Sequence, residues 1–164
     1  MEAGGEGSAN AYLDVKAAIE FLASQTAVDA NRIGLIAATA GTAYALRAAS
    51  GDKRIQTVVF MTAASVPVGE EKQFLATSGK PVFAIASTED INYNRGSLAD
   101  STREAYRMSN SKDSQFLLYD DAGRGSEILK VKPELQRMIL RWFIDKLHGD
   151  GAPAATVDVS QERP

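Results

Sequence analysis

The sequence has no cysteine, one histidine and one tryptophan in 164 residues. The absence of thiols excludes disulfides, cysteine-ligated zinc and a cysteine nucleophile, and it leaves the redox compartment unread. His148 is the sole imidazole, so chemistry that needs a side-chain base near neutral pH has little to draw on. An excess of charge of one sign is lacking as well. Eighteen Lys and Arg stand against 21 Asp and Glu, a net charge of −3. No basic field therefore draws the chain to nucleic acid or to an anionic membrane. No apolar run approaches the ~20 residues that span a bilayer. Met1 to Asn10 is glycine-rich and acidic, without the basic-then-apolar pattern of a signal peptide. The compartment, cytoplasmic or exported, stays open. Nothing in the sequence calls for a cofactor or a metal.

What is present reads as a soluble globular chain. Hydrophobic residues make up 45% and charged residues 24%, and this length suits one domain with a sizeable core. Tyr12, Val15, Ile19 and Leu22 recur at helical spacing, which predicts an amphipathic helix over 11–24 capped by Ser8 or Asn10. Ile33 to Ala37 is apolar on both faces, as a strand covered by helices on either side must be. A small-residue helix is predicted at 41–50 and a strand at Ile55 to Met61. A short helix is predicted at 69–78, a strand at Pro81 to Ala86, a weak helix at 97–109 and a strand at Gln115 to Tyr119. The last helix opens near Pro133, carries Leu135, Met138, Ile139, Trp142 and Leu147 as its apolar stripe, and closes at Gly149. Strands alternating with helices predict an α/β fold: three layers, with a mostly parallel sheet of about four strands flanked by helices. Residues 1–149 form the predicted domain, and 150–164 form a polar tail.

The stretch with chemical content is Ile33-Gly34-Leu35-Ile36-Ala37-Ala38-Thr39-Ala40-Gly41. A buried strand runs through a tight turn into a helix, which is the shape of a G-x-S-x-G nucleophile elbow with Ala37 at the first glycine and Thr39 at the serine. This region resembles the elbow of α/β-hydrolases, in particular the dienelactone hydrolase and prolyl-oligopeptidase-like branch. Later segments fall in that family's order. Pro81 to Ala86 followed by Ser87-Thr88-Glu89-Asp90 is similar to the strand and loop that carry the acid, with Asp90 at its position. Leu117-Leu118-Tyr119 and Asp121-Ala122-Gly123-Arg124-Gly125 are similar to the strand and G-H-G loop that carry the histidine, with Arg124 in its place. The likeness runs from Tyr12 to His148 and takes in only the C-terminal half of the family's sheet.

The resemblance implies a triad at Thr39, Asp90 and Arg124, and elementary chemistry argues that this triad is inactive. Acyl transfer needs a base beside the nucleophile and an acid to orient that base. A guanidinium stays protonated and cannot serve. The extra methyl of threonine crowds a strained turn. His148, at the far end of the last helix, belongs to a helix C-terminus, where its charge is favoured. The sequence therefore leans against an enzyme. Its first reading is a non-catalytic, hydrolase-like domain with a structural or interaction role. A second is a small-anion module in which a carboxylate or phosphate sits between Arg124 and the backbone amides of Ala40 and Gly41. A third is a residual ester or acyl hydrolase of the dienelactone hydrolase type with Thr39 as nucleophile. Asp90 is also available as a partner for Arg124, and the glycines flanking Arg124 read as the loop's own. With the preceding strands of the parent sheet missing, Ile33 to Ala37 is predicted to present an open edge. The predicted cover is a second copy or another chain, or a segment such as the N-terminal residues; the further alternative is that the chain is a fragment of something longer.

Overall fold

The computed structural model describes residues 10–92 and 96–148. Ser8, Gly149 and the tail lie outside the described residues. In chain order the elements are α1 (Ala11–Ala23), β1 (Ile33–Thr39), α2 (Ala40–Ala49), β2 (Ile55–Ala63), α3 (Gly69–Thr77), β3 (Val82–Ser87), β4 (Ile91–Asn92), β5 (Gly96–Ser97), α4 (Leu98–Arg107), β6 (Gln115–Tyr119), a 3₁₀ turn at Gly125–Glu127, α5 (Ile128–Val131) and α6 (Glu134–Leu147). The main sheet has the order β1-β2-β3-β6, and every pairing in it is parallel.

Alternation along the strands builds the three layers. On β2, Val58 and Phe60 face the core shared with α1 to α4, whereas Val59 and Met61 face α5 and α6. Successive side chains point to opposite sides of a pleated strand, so a strand buried on both sides must be apolar throughout, as Ile55 to Ala63 very nearly is. One polar residue within that strand is fully used. Thr57 Oγ1 donates to the Pro81 carbonyl at 2.8 Å and accepts from Trp142 Nε1 at 2.8 Å. That bond satisfies the indole N–H, which would otherwise be a buried orphan. It also fixes α6 on the sheet, where the Trp142 ring lies 5.3 Å from that of Phe83.

Three details differ from the sequence pattern. Asn10 sits at the N-cap position of α1 with helical backbone angles and makes no side-chain cap. Leu22 and Met138 are 41% and 42% exposed and so lie on the margins of their helices; Ile19 in α1, and Leu135, Ile139 and Trp142 in α6, carry the burial. The β4–β5 ladder and α5 are additional elements, too short to leave a periodic signal.

β1 forms one edge of the sheet, with β2 on its inner side and no described strand on the other. Gly34, on the α6 face of β1, lies under Phe143: a β-carbon added there would meet the ring at 2.5 and 2.6 Å. Gly34→Ala is therefore expected to lower stability by about 1–3 kcal/mol through overpacking, measured by denaturant titration. Adding Phe143→Leu should restore part of that loss. An additive double variant would show that Phe143 is not what holds this position to glycine.

Candidate active site

The loops that follow β1, β2, β3 and β6 all leave from the C-terminal edge of the parallel sheet, where open α/β folds gather their functional groups. β1 ends at Thr39, whose φ of 51° and ψ of −122° lie in a region that β-branched residues rarely occupy. α2 starts at the next residue. This is the sharp strand-to-helix turn that the sequence anticipated. Its threonine methyl faces the loop after β6: a β-carbon added to Gly125, itself at φ 53°, would stand 2.7 Å from Thr39 Cγ2. Gly125 is thus a glycine both for its backbone angle and for the space the methyl takes. Gly41, by contrast, has open space around it.

Asp90 and Arg124 meet. Arg124 Nε donates to Asp90 Oδ1 at 2.6 Å, and Arg124 Nη2 donates to the Ile91 carbonyl at 3.0 Å. The Asp90 side chain is 1% exposed and that of Arg124 is 42% exposed. The other oxygen of Asp90 accepts from Thr62 Oγ1 at 2.7 Å, and the same hydroxyl accepts from the Gly125 amide at 3.1 Å. The carboxylate is thereby paired and hydrogen-bonded on both oxygens, the condition under which a buried charge is tolerated.

Thr62 is the site residue that sequence reasoning passes over. The β1–β2 register steps from Ala38 opposite Met61 to Thr39 opposite Ala63, so Thr62 is the unpaired residue of a bulge. Its φ of 60° marks a second strained, β-branched position, and bulges re-aim side chains in this manner. Within Met61-Thr62-Ala63 no residue type announces it.

Arg124 is engaged by Asp90 and by the Ile91 carbonyl. Its guanidinium lies in an open concavity lined also by Glu89, Asp90, Asp121 and Glu127, and neither Thr39 nor the start of α2 lines it. Four acidic side chains around one arginine oppose an anion. Glu89 is held above the usual carboxylate range by its hydrogen bond to Asp121, with repulsion between the two charges adding to it. His148 follows α6 as its C-cap, well away from these loops in the chain. Among the described residues no cluster of three or more His, Cys, Asp or Glu is arranged to hold a metal. No described helix is long and apolar enough to cross a membrane.

Solved structures share this architecture. An esterase of Pyrococcus furiosus superposes with a TM-score of 0.62 at 18% identity, over 89% of this chain and 66% of the esterase. A second crystal form of that esterase gives 0.64 at 18% identity, over 86% and 63%. A putative dienelactone hydrolase of Klebsiella pneumoniae gives 0.59 at 17% identity, over 83% and 61%. The chain has the α/β-hydrolase fold. It spans just under two thirds of the length of these hydrolases. No family model and no curated protein matches the sequence.

Asp90 and Arg124, to which the sequence resemblance assigns the acid and base positions, are joined as an ion pair. Removing one partner of a buried pair typically costs about 3–5 kcal/mol. Arg124 keeps much of its hydration, so Asp90→Ala is expected to cost less, about 2–3 kcal/mol, by chemical denaturation. Asp90→Asn should recover part of this by keeping the Thr62 hydrogen bond. A loss below about 0.5 kcal/mol, the range of ordinary surface substitutions, would show that the pair does not hold the loops together.

Proposed function

We propose that this chain is a non-hydrolytic α/β-hydrolase-like module with a structural or association role. The observation that carries the reading is the Arg124–Asp90 contact of 2.6 Å. A hydrolase of this fold needs an imidazole between acid and nucleophile to accept and return a proton. An arginine at that place stays charged, and it consumes the acid as a partner instead of being oriented by it. Loss of one triad member costs several orders of magnitude in rate. The Thr39 methyl against Gly125 further fills the direction in which the base loop lies.

The association side of the proposal rests on β1. The strand Ile33–Thr39 carries no charge and no proline, the usual devices that blunt an edge, and Ile36 is 51% exposed on it. A second copy is the occupant we assign. Two-fold symmetry pairs such an edge with itself in antiparallel register, and a net charge of only −3 offers little repulsion.

A second reading, weak ester hydrolysis with Thr39 as nucleophile, is favoured by one observation. The elbow backbone at Thr39, φ 51° and ψ −122°, keeps the strained turn. The likeness to an esterase and to a putative dienelactone hydrolase makes this the natural competitor.

Purified protein is expected to hydrolyse p-nitrophenyl acetate no faster than the buffer blank. Turnover that disappears in Thr39→Ala would falsify the non-hydrolytic reading in favour of the second. Association is tested separately by light scattering on a sizing column. A dimer for the natural sequence and a monomer for Ile36→Lys is the expected result. A monomeric natural chain sinks the edge assignment and leaves the first part standing.

A further inference from the structure

A second feature adjoins the elbow. A small cavity lies between the first turn of α2, the loop after β2 and the start of α3, lined by Thr39, Thr42, Ser65 and Glu71 among others. Thr42 is 2% exposed, and its hydroxyl has no hydrogen-bond partner among the described residues. Thr42 is the third residue of α2, so no helical carbonyl one turn back is in place for its hydroxyl. A buried hydroxyl without a partner is costly and uncommon. The first N–H groups of α2, a helix of 10 residues, are also without intrahelical acceptors. The cavity has room for about one water molecule.

We propose that this cavity is a site for a single ordered water, held by Thr42 Oγ1 and the Glu71 carboxyl at the N-terminal turn of α2. The donor and acceptor set fits water better than an ion. The α2 amides and the threonine hydroxyl offer donors, whereas Glu71 and the hydroxyl lone pairs offer acceptors. An anion would meet Glu71, and a cation would meet the positive end of the helix. Burial raises the Glu71 carboxyl above its ordinary range, against the pull of a backbone hydrogen bond at Val68 and the charge of Arg47. A water in contact with it would offset part of that desolvation. The bridge would tie α2 to α3 behind Thr39 and so brace the strained turn. It is independent of whether the chain hydrolyses anything.

The decisive measurement is a crystal structure of the natural chain at a resolution that shows waters. Density is expected within about 2.7–3.2 Å of Thr42 Oγ1, an ordinary hydrogen-bond distance. Thr42→Val provides the solution arm. If the water is present, the variant strands it and melts about 2–4 °C lower. If the cavity is dry, removing an orphan hydroxyl raises the melting temperature. Thr42→Ser, which keeps the hydroxyl, should retain the water and anchors the comparison if the valine variant does not fold. An empty cavity in the structure, or a higher melting temperature for Thr42→Val, overturns the proposal.

Discussion

The buried carboxylate of Asp90 is the constraint on which the candidate site depends. A charge that is 1% exposed must be neutralised and hydrogen-bonded, because its desolvation otherwise costs several kcal/mol. Its two oxygens answer to two different parts of the chain. One takes Arg124 from the loop after β6, and the other takes Thr62 from the bulge in β2. Thr62 in turn receives the amide of Gly125, whose lack of a side chain admits the Thr39 methyl. The loops after β3 and β6 and the bulge in β2 are therefore held together by a single acid. Each is short and individually undetermined; the carboxylate gives them one joint arrangement.

Two strained residues fit this account. Thr39 and Thr62 both adopt left-handed backbone angles, a conformation that costs of order 1–3 kcal/mol for such residues. They are neighbours across the β1–β2 register break. At Thr62 the strain turns a hydroxyl onto Asp90 that a regular strand would send elsewhere. At Thr39 it starts α2 immediately after the strand and leaves the side chain at the sheet's edge. Local strain of this kind persists only where surrounding contacts over-determine it, and the Asp90 cluster supplies them on the Thr62 side.

The fold was legible because its elements are long and their periods distinct. β2 and β3 are apolar on both faces, and α6 shows its stripe at Leu135, Ile139 and Trp142. Those patterns are dictated by burial and need no knowledge of partners. The sequence order and the Asp90–Arg124 contact agree, and the rest of the site's geometry lay outside the sequence. The order of elbow, acid loop and base loop pointed to Thr39, Asp90 and Arg124, and Asp90 was named among partners for the arginine. What the sequence did not carry is the direction of Arg124. Its contacts to Asp90 and the Ile91 carbonyl join the loop after β6 to the loop after β3, and neither loop's residues announce that meeting alone. Thr62 was invisible for a related reason: a bulge is a property of two strands in register, and one strand's residues do not announce it.

The chemistry of the pair and the exposure of the sheet are separate matters. Nothing in the Arg124–Asp90–Thr62 cluster touches the outer side of β1, and Ile36 would be as exposed beside a working histidine as beside an arginine. About a third of the length of the neighbouring hydrolases lies outside the match to this chain. β1 is an uncharged strand with no described strand on its outer side, so its outward backbone donors and acceptors face water whatever the site does. On the non-hydrolytic reading, the scaffold keeps its shape without a proton relay. The reverse does not hold, since an active triad on this fold would still need the elbow, and the elbow leans on Gly125 and on the loop that Asp90 secures.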